Sequence, residues 1–274
     1  MTNINEIQIL KKISKYKNMT TFTLTEKYDI SNAAKLLNTK LLDDETKGSL
    51  KKYLKRGKGG RVEVNYTQNE IGRLNIKVKG LKEKETYMWA VMKASLFDKH
   101  YMDLDIVNAH PVFALHTFKN LNYTTDKLEQ YIHDRDSLFA DLMNQGLCRD
   151  KSKILIMRLM YGGSVSAFMR EYNVKKLPDY LYDLEKEFIM NRKLLLQRDE
   201  LLEYRMKAKE EKGDNYYNVD GTAFSYFLQT IECSVLMSMF RKLKQLNYRV
   251  GALIHDGLHL EKNENLDIQS DIPS

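Results

Sequence analysis

Cysteine is almost missing from this chain of 274 residues: Cys148 and Cys233 stand far apart and outside any Cys/His ligand spacing. That excludes a disulfide framework and a cysteine-based structural zinc site, and it points to a reducing compartment. No run approaches the ~20 apolar residues that a membrane-spanning helix needs. The opening MTNINEIQILKK has no apolar core of the kind a secretory leader carries. The expectation is an intracellular, soluble protein with no membrane partner. Neither an internal repeat nor a low-complexity tract is visible.

What is present is the composition of a globular protein, 43% hydrophobic and 30% charged, enough for a sizeable core. Lys plus Arg total 44 against 37 acids, a net charge of +7. An anionic partner is favoured, with nucleic acid the first candidate.

Residues 1 to about 55 look helical and basic, ending in KGSLKKYLKRGKGGR, where Arg56, Lys58 and Arg61 stand beside Gly57, Gly59 and Gly60. Such a run is ordinarily a solvated surface, and it is equally able to grip phosphates through mobile cations and accessible backbone amides. Alternation over Val62–Tyr66 and Leu74–Val78 predicts a hairpin turning at TQNEIG. Tyr87–Phe97 has helical spacing. YMDLDIV, Tyr101–Val107, alternates acid with apolar residues and reads as a strand. Asn108 is placed to cap the helix that follows, with Pro111 tolerated in its first turn. Helical patterns then cover Thr124–Gly146, Arg149–Met160, Ser164–Tyr172 and Pro178–Lys212. After the break EKGDNYYNVDGT, one more spans Ala223–Leu246.

Two stretches ask for an explanation. In GALIHDGLHL, Gly251–Leu260, a histidine, an acid and a glycine separate two short apolar strands. By itself Asp-Gly is ordinary hairpin chemistry. In RDKSKILIMRLMYGG, Arg149, Lys153, Met157 and Tyr161 recur every four residues and so form one slowly drifting stripe on a helix. Cation, cation, thioether and aromatic ring, closing at Gly162-Gly163, do not make a core face. They suit a nucleoside triphosphate laid along the helix.

The stripe with its final glycine resembles motif B of family A DNA polymerases and phage-type single-subunit RNA polymerases, the latter also with methionine at the third place. IHDGLHL resembles their motif C, and LDIVNAHPVFAL their motif A, in the same order A, B, C. The form Asp-x-x-Asn-x-His-Pro with His-Asp-Gly is similar to the transposon and virus polymerase family, a minimal branch often fused to a helicase. The resemblance covers about residues 100–262.

It implies a helix-rich α+β fold, with a polymerase palm built on a small antiparallel sheet, helical fingers and a reduced thumb-like N-terminal region. The expected division is 1–98 for that N-terminal region and 99–274 for the core, fingers at about 124–215. Nucleotidyl transfer needs two hard cations, which want carboxylate oxygens. Asp105 and Asp256 are therefore the expected ligands of two Mg²⁺, or Mn²⁺ in their place. Asp103 shares a strand face with Asp105 and competes with it; Asp105, at the strand end, is where the resemblance puts the ligand. Lys153 is assigned to the leaving phosphates as general acid and Arg149 to the same phosphate tail. Met157, Tyr161 and Gly162 are assigned to the incoming nucleotide. His110 stands where the DNA enzymes have a glutamate that excludes ribonucleotides. His255, Gln229, Arg56, Lys58 and Arg61 are expected at primer and template, and Glu232 with Gln229.

The partners so implied are a DNA template and primer, dNTP or NTP, and a fused or associated helicase, to which the polar end ENLDIQSDIPS is a fitting linker. The expected place of action is the cytoplasm or a viral replication site of a host cell. Only about 100 residues precede motif A, so a reduced grip and short products, primers among them, are expected. Two other classes share some of these features. A metal-dependent nuclease also pairs aspartates beside a basic cleft, and a non-catalytic nucleic-acid-binding protein would use the cations and aromatic rings alone.

Overall fold

Strict alternation writes the first sheet. In Arg61–Gln68 (β2), Val62, Val64, Tyr66 and Gln68 point inward while Arg61, Glu63 and Asn65 face solvent, the two-residue period of a half-buried strand. This is a computed structural model that describes residues 21–78, 95–214 and 216–262. β2 pairs antiparallel with Thr21–Lys27 (β1) on one side and Leu74–Lys77 (β3) on the other. The hairpin at TQNEIG is therefore present. The helical reading of the first 55 residues is corrected: β1 is a strand, and its β-branched Thr21, Thr23 and Thr25 suit an extended edge. Helices α1 (Ile30–Asn38) and α2 (Asp44–Leu54) follow it, each begun by an aspartate side chain accepting a backbone N–H, Asp29 from Asn32 and Asp43 from Thr46. Residues 1–20 and most of the stretch Tyr87–Phe97 lie outside the described residues.

The second sheet has the order β4-β6-β5, from Tyr101–Asp105 (β4), Val250–Ile254 (β5) and Gly257–Glu261 (β6), all antiparallel. A register shift between Val250 and Ala252 makes a bulge at Gly251, where a Cβ would lie 2.3 Å from the Tyr101 ring. Glycine is required there because the ring occupies the space of a side chain. The two sheets share one core, with Tyr66, Leu50, Phe97, Leu253 and Leu260 wholly or almost wholly buried. Each such side chain contributes about 1.5–3 kcal/mol. A buried carboxylate, Glu26, accepts from the hydroxyls of Tyr53 (2.7 Å) and Tyr66 (3.4 Å), and the Tyr66 oxygen accepts from the Leu253 amide at 3.2 Å. That network ties β1 and β2 to β5.

A second unit, Val107–Glu232, is helical. It contains α3 (Ala109–Asn120), α4 (Asp126–His133), α5 (Arg135–Asn144), α6 (Arg149–Met160), α7 (Val165–Tyr172), α8 (Asp179–Leu196), α9 (Leu202–Lys212) and the first part of α10 (Val219–Gln245). The single helices expected over Thr124–Gly146 and Pro178–Lys212 are each broken, at Asp134 and around the short 3₁₀ turn Asp199–Leu201. Phe118, Phe224 and Phe227 stack through its core at 5.8 and 6.4 Å between centroids. From α10, Leu236, Met237, Phe240 and Leu243 belong to the core of the sheets.

The compact units thus cut the chain at Val107 and Glu232 and not at a boundary near 98. The physical reason is that β1–β3 bury their apolar faces in the same core as β5 and β6. The fold is helix-rich α+β.

Candidate active site

The two acids come together because of strand register. β4 runs antiparallel to β6 with Asp105 opposite Gly257, and Asp256 is the residue just before Gly257, at the tip of the β5–β6 hairpin. The Ile106 amide donates to the Asp256 carbonyl at 3.0 Å, fastening the tip to the end of β4. A Cβ on Gly257 would stand 1.8 Å from Asp105 Oδ1, so the carboxylate lies over this glycine. The glycine is therefore the first residue of β6, and its missing side chain makes room for the acid itself. Only His255 and Asp256 form the turn, with His255 at φ 48°, a left-handed conformation unusual for a side-chain-bearing residue.

Burial, then the charges of Asp256 and Asp103, push the Asp105 carboxyl above its ordinary 3.8. Like charges held together in this way are the setting a divalent cation relieves. Asp103 has another engagement: its Oδ1 lies 2.7 Å from Nε2 of the cross-strand His259. His259 is buried, stacked on Tyr101 at 5.7 Å and edge-on to Phe97 at 5.6 Å. Sequence reasoning missed His259, although its place two residues beyond Gly257 on the same strand face was legible.

Among the described residues no group of three or more His, Cys, Asp or Glu is arranged to hold a metal. Two carboxylates nevertheless fit Mg²⁺, which is held by one or two carboxylates and completes its shell with water and substrate phosphates.

In the helical unit, α6 buries Ser152, Leu155, Ile156, Leu159 and Met160. The stripe lies off that face, with Arg149 and Lys153 exposed and Met157 and Tyr161 half-buried. Lys153 has no hydrogen bond or ion pair among the described residues. Arg149 reaches Asp136 at 3.1 Å and lies over the Phe139 ring at 5.4 Å; an exposed pair of this kind is weak and exchangeable. Arg158, off the stripe, is held by both oxygens of Glu171.

Tyr161 ends the helix, and its surroundings were not foreseen. Its carbonyl accepts from Asn218 Nδ2 at 2.8 Å, and the Met160 carbonyl accepts from Arg192 Nη1 at 2.9 Å. Gly162 has φ 96°, and a Cβ there would meet Asn218 Oδ1 at 2.4 Å. A Cβ on Gly221 would stand 2.0 Å from the Tyr161 carbonyl oxygen. The Tyr161 hydroxyl is hydrogen-bonded to Nδ1 of His110, whose Nε2 lies 2.5 Å from Glu232 Oε2. His110 and Glu232 are 6% and 1% exposed. Both ring nitrogens of His110 are thus engaged, Nδ1 by the Tyr161 hydroxyl and Nε2 by the Glu232 carboxyl, which fixes the ring's orientation.

Glu232 is thus corrected from a primer- or template-facing residue to the buried partner of His110. Gln229 donates to Ser225 Oγ at 3.0 Å. Asn108 stands at the N-terminus of α3 with φ 55° but makes no side-chain cap; its Oδ1 accepts from the Tyr131 hydroxyl at 3.2 Å instead. Arg56, Lys58 and Arg61 are all exposed.

No helix among the described residues is long and apolar enough to cross a membrane. No family model matches the chain. It is similar to a protein of Sputnik virophage named putative helicase V13, 25% identical over 266 residues, a match covering 90% of this chain and 33% of that protein. The chain spans about a third of the length of that relative.

Proposed function

We propose that the chain is a template-directed nucleotidyltransferase, a DNA polymerase or primase of a virus or mobile element. The observation that carries this reading is the Asp105 carboxylate lying over Gly257 with Asp256 as its neighbour at the hairpin tip. The resemblance of the three ordered motifs supports it, as does a stripe with an unpaired Lys153. Asp105 and Asp256 would hold the divalent cations, which when bound would supply charge stabilisation for the transfer.

In the proposed reaction a 3′-hydroxyl gives its proton to solvent water and its oxygen forms a bond to the α-phosphorus while the bond to pyrophosphate breaks. Lys153 gives the departing pyrophosphate a proton, and Arg149 exchanges Asp136 for the phosphate tail. Tyr161, held through His110 and Glu232, meets the sugar of the incoming nucleotide. A nuclease commonly recruits further acids or a lysine beside its metal, and the stripe on α6 has no role in hydrolysis. A helicase, fused or associated, is the proposed partner, in keeping with the name of the virophage relative.

The test is Mg²⁺-dependent incorporation of labelled dNTP or NTP on a single-stranded template, with and without primer. Asp256→Asn is expected to lower it by at least about 10²-fold with an unchanged circular dichroism spectrum. Equal incorporation by both proteins sinks the proposal.

A further inference from the structure

At the end of the β5–β6 ribbon away from Asp256 lies a second basic feature. An open cleft of about 350 Å³ is lined by Lys27 of β1, Arg61 of β2, Lys244 of α10 and Arg249 just before β5, with Glu261 as its single acid. Lys27 is already paired with Glu261. Arg61, Lys244 and Arg249 have no carboxylate partner among the described residues, so three positive charges face one concavity uncompensated. Tyr248, half-buried, and Phe240 line the same cleft, and the Lys244 ammonium lies over the Phe240 ring at 5.6 Å. From Gly257 to Glu261 the extended strand covers about 13 Å, so one phosphate cannot touch both the acids and this cleft.

We propose that this cleft is a second nucleic-acid contact, gripping backbone phosphates of a single strand through Arg61, Lys244 and Arg249, with Tyr248 as a surface for a base. Cations contributed by four separate elements around an open groove suit a strand passing through more than a free nucleotide enclosed by it. Cations alternating with aromatic rings are the composition of sequence-tolerant single-strand binding. The cleft is independent of the catalytic reading, because phosphate binding here needs neither Asp105 nor a divalent cation.

The experiment is fluorescence anisotropy of a labelled single-stranded oligonucleotide in the presence of a chelator, repeated across a salt series. Removing one phosphate-binding cation makes the slope of log affinity against log salt shallower by about 0.7. The double variant Lys244→Ala/Arg249→Ala is expected to make it shallower by about 1.4, and adding Arg61→Ala by about 2 in all. Lys244→Arg/Arg249→Lys should keep the wild-type slope, which separates charge from structural damage. Melting temperatures check folding, and Arg249→Glu alone serves if the triple variant fails to fold. An unchanged slope in the alanine variants overturns the proposal. So does tripolyphosphate binding that these variants abolish while the oligonucleotide slope stays the same, because the ligand would then be a free polyphosphate.

Discussion

At the scale of single residues, Gly257 is the sharpest determinant of the candidate site. Its φ is not in the left-handed region, so the change to alanine acts through the Cβ, which would stand 1.8 Å from Asp105 Oδ1 and 2.8 Å from the Leu104 carbonyl oxygen. Gly257→Ala is expected to shift that carboxylate by about 1 Å, and a displacement of this size costs on the order of 10²-fold in rate. Incorporation kinetics beside a melting curve check it, with the expectation of a large activity loss and, because the Leu104 carbonyl must also give way, a fall in melting temperature. Glu187 makes a different residue-scale case. Its two oxygens accept the Lys127 and Leu128 amides at 2.9 Å each, yet burial outweighs them and raises its carboxyl above 4.5. A raised folded value means that the contribution of the proton to stability is complete below 4.5 and is lost as pH rises through the folded value. The stability of wild type relative to Glu187→Gln should therefore decline over that window, as read by denaturant unfolding at a series of pH values.

At the scale of elements, the α6 terminus shows how little of a site is visible one segment at a time. The stripe Arg149, Lys153, Met157, Tyr161 was legible because a four-residue recurrence is a property of one helix. The clamp on its end was not, because Asn218, Arg192, Gly221 and Glu232 come from three other places in the sequence and none carries a local signal. The β5–β6 hairpin was legible for the same reason as the stripe, with alternation on both sides of His-Asp-Gly. β1 was not read as a strand, although Thr21, Thr23 and Thr25 alternate in it: the segment is short, it follows a lysine-rich stretch, and its pairing partner β2 lies some forty residues later. Asn108 followed a sound rule for helix caps and found Tyr131 instead. Gly221 gives the element-scale prediction. Alanine there must displace the Tyr161 carbonyl, which lies 2.0 Å from the Cβ position, and overpacking of this kind costs about 1–3 kcal/mol. Gly221→Ala should therefore lower stability in chemical unfolding and raise KM for the nucleotide, since Tyr161 and Gly162 move together.

At the scale of the whole molecule, the virophage relative raises the question of where a helicase activity would reside. The match covers 33% of that protein. The 274 residues contain no Gly-x-x-x-x-Gly-Lys-Ser/Thr run, the phosphate cradle of P-loop ATPases. What they do contain is an antiparallel sheet that juxtaposes Asp105 and Asp256 and a helix whose exposed Arg149 has only the exposed Asp136 as its ion-pair partner, the features on which the proposed nucleotidyl transfer rests. The isolated chain is therefore expected to show no nucleic-acid-stimulated ATP hydrolysis and no strand separation, while incorporating nucleotides on single-stranded template. A fork substrate with ATP, and a single-stranded template with Mg²⁺ and labelled nucleotides, measure the two activities on one preparation. Unwinding by the chain alone would move the helicase into this segment and leave Asp105 and Asp256 to serve that motor.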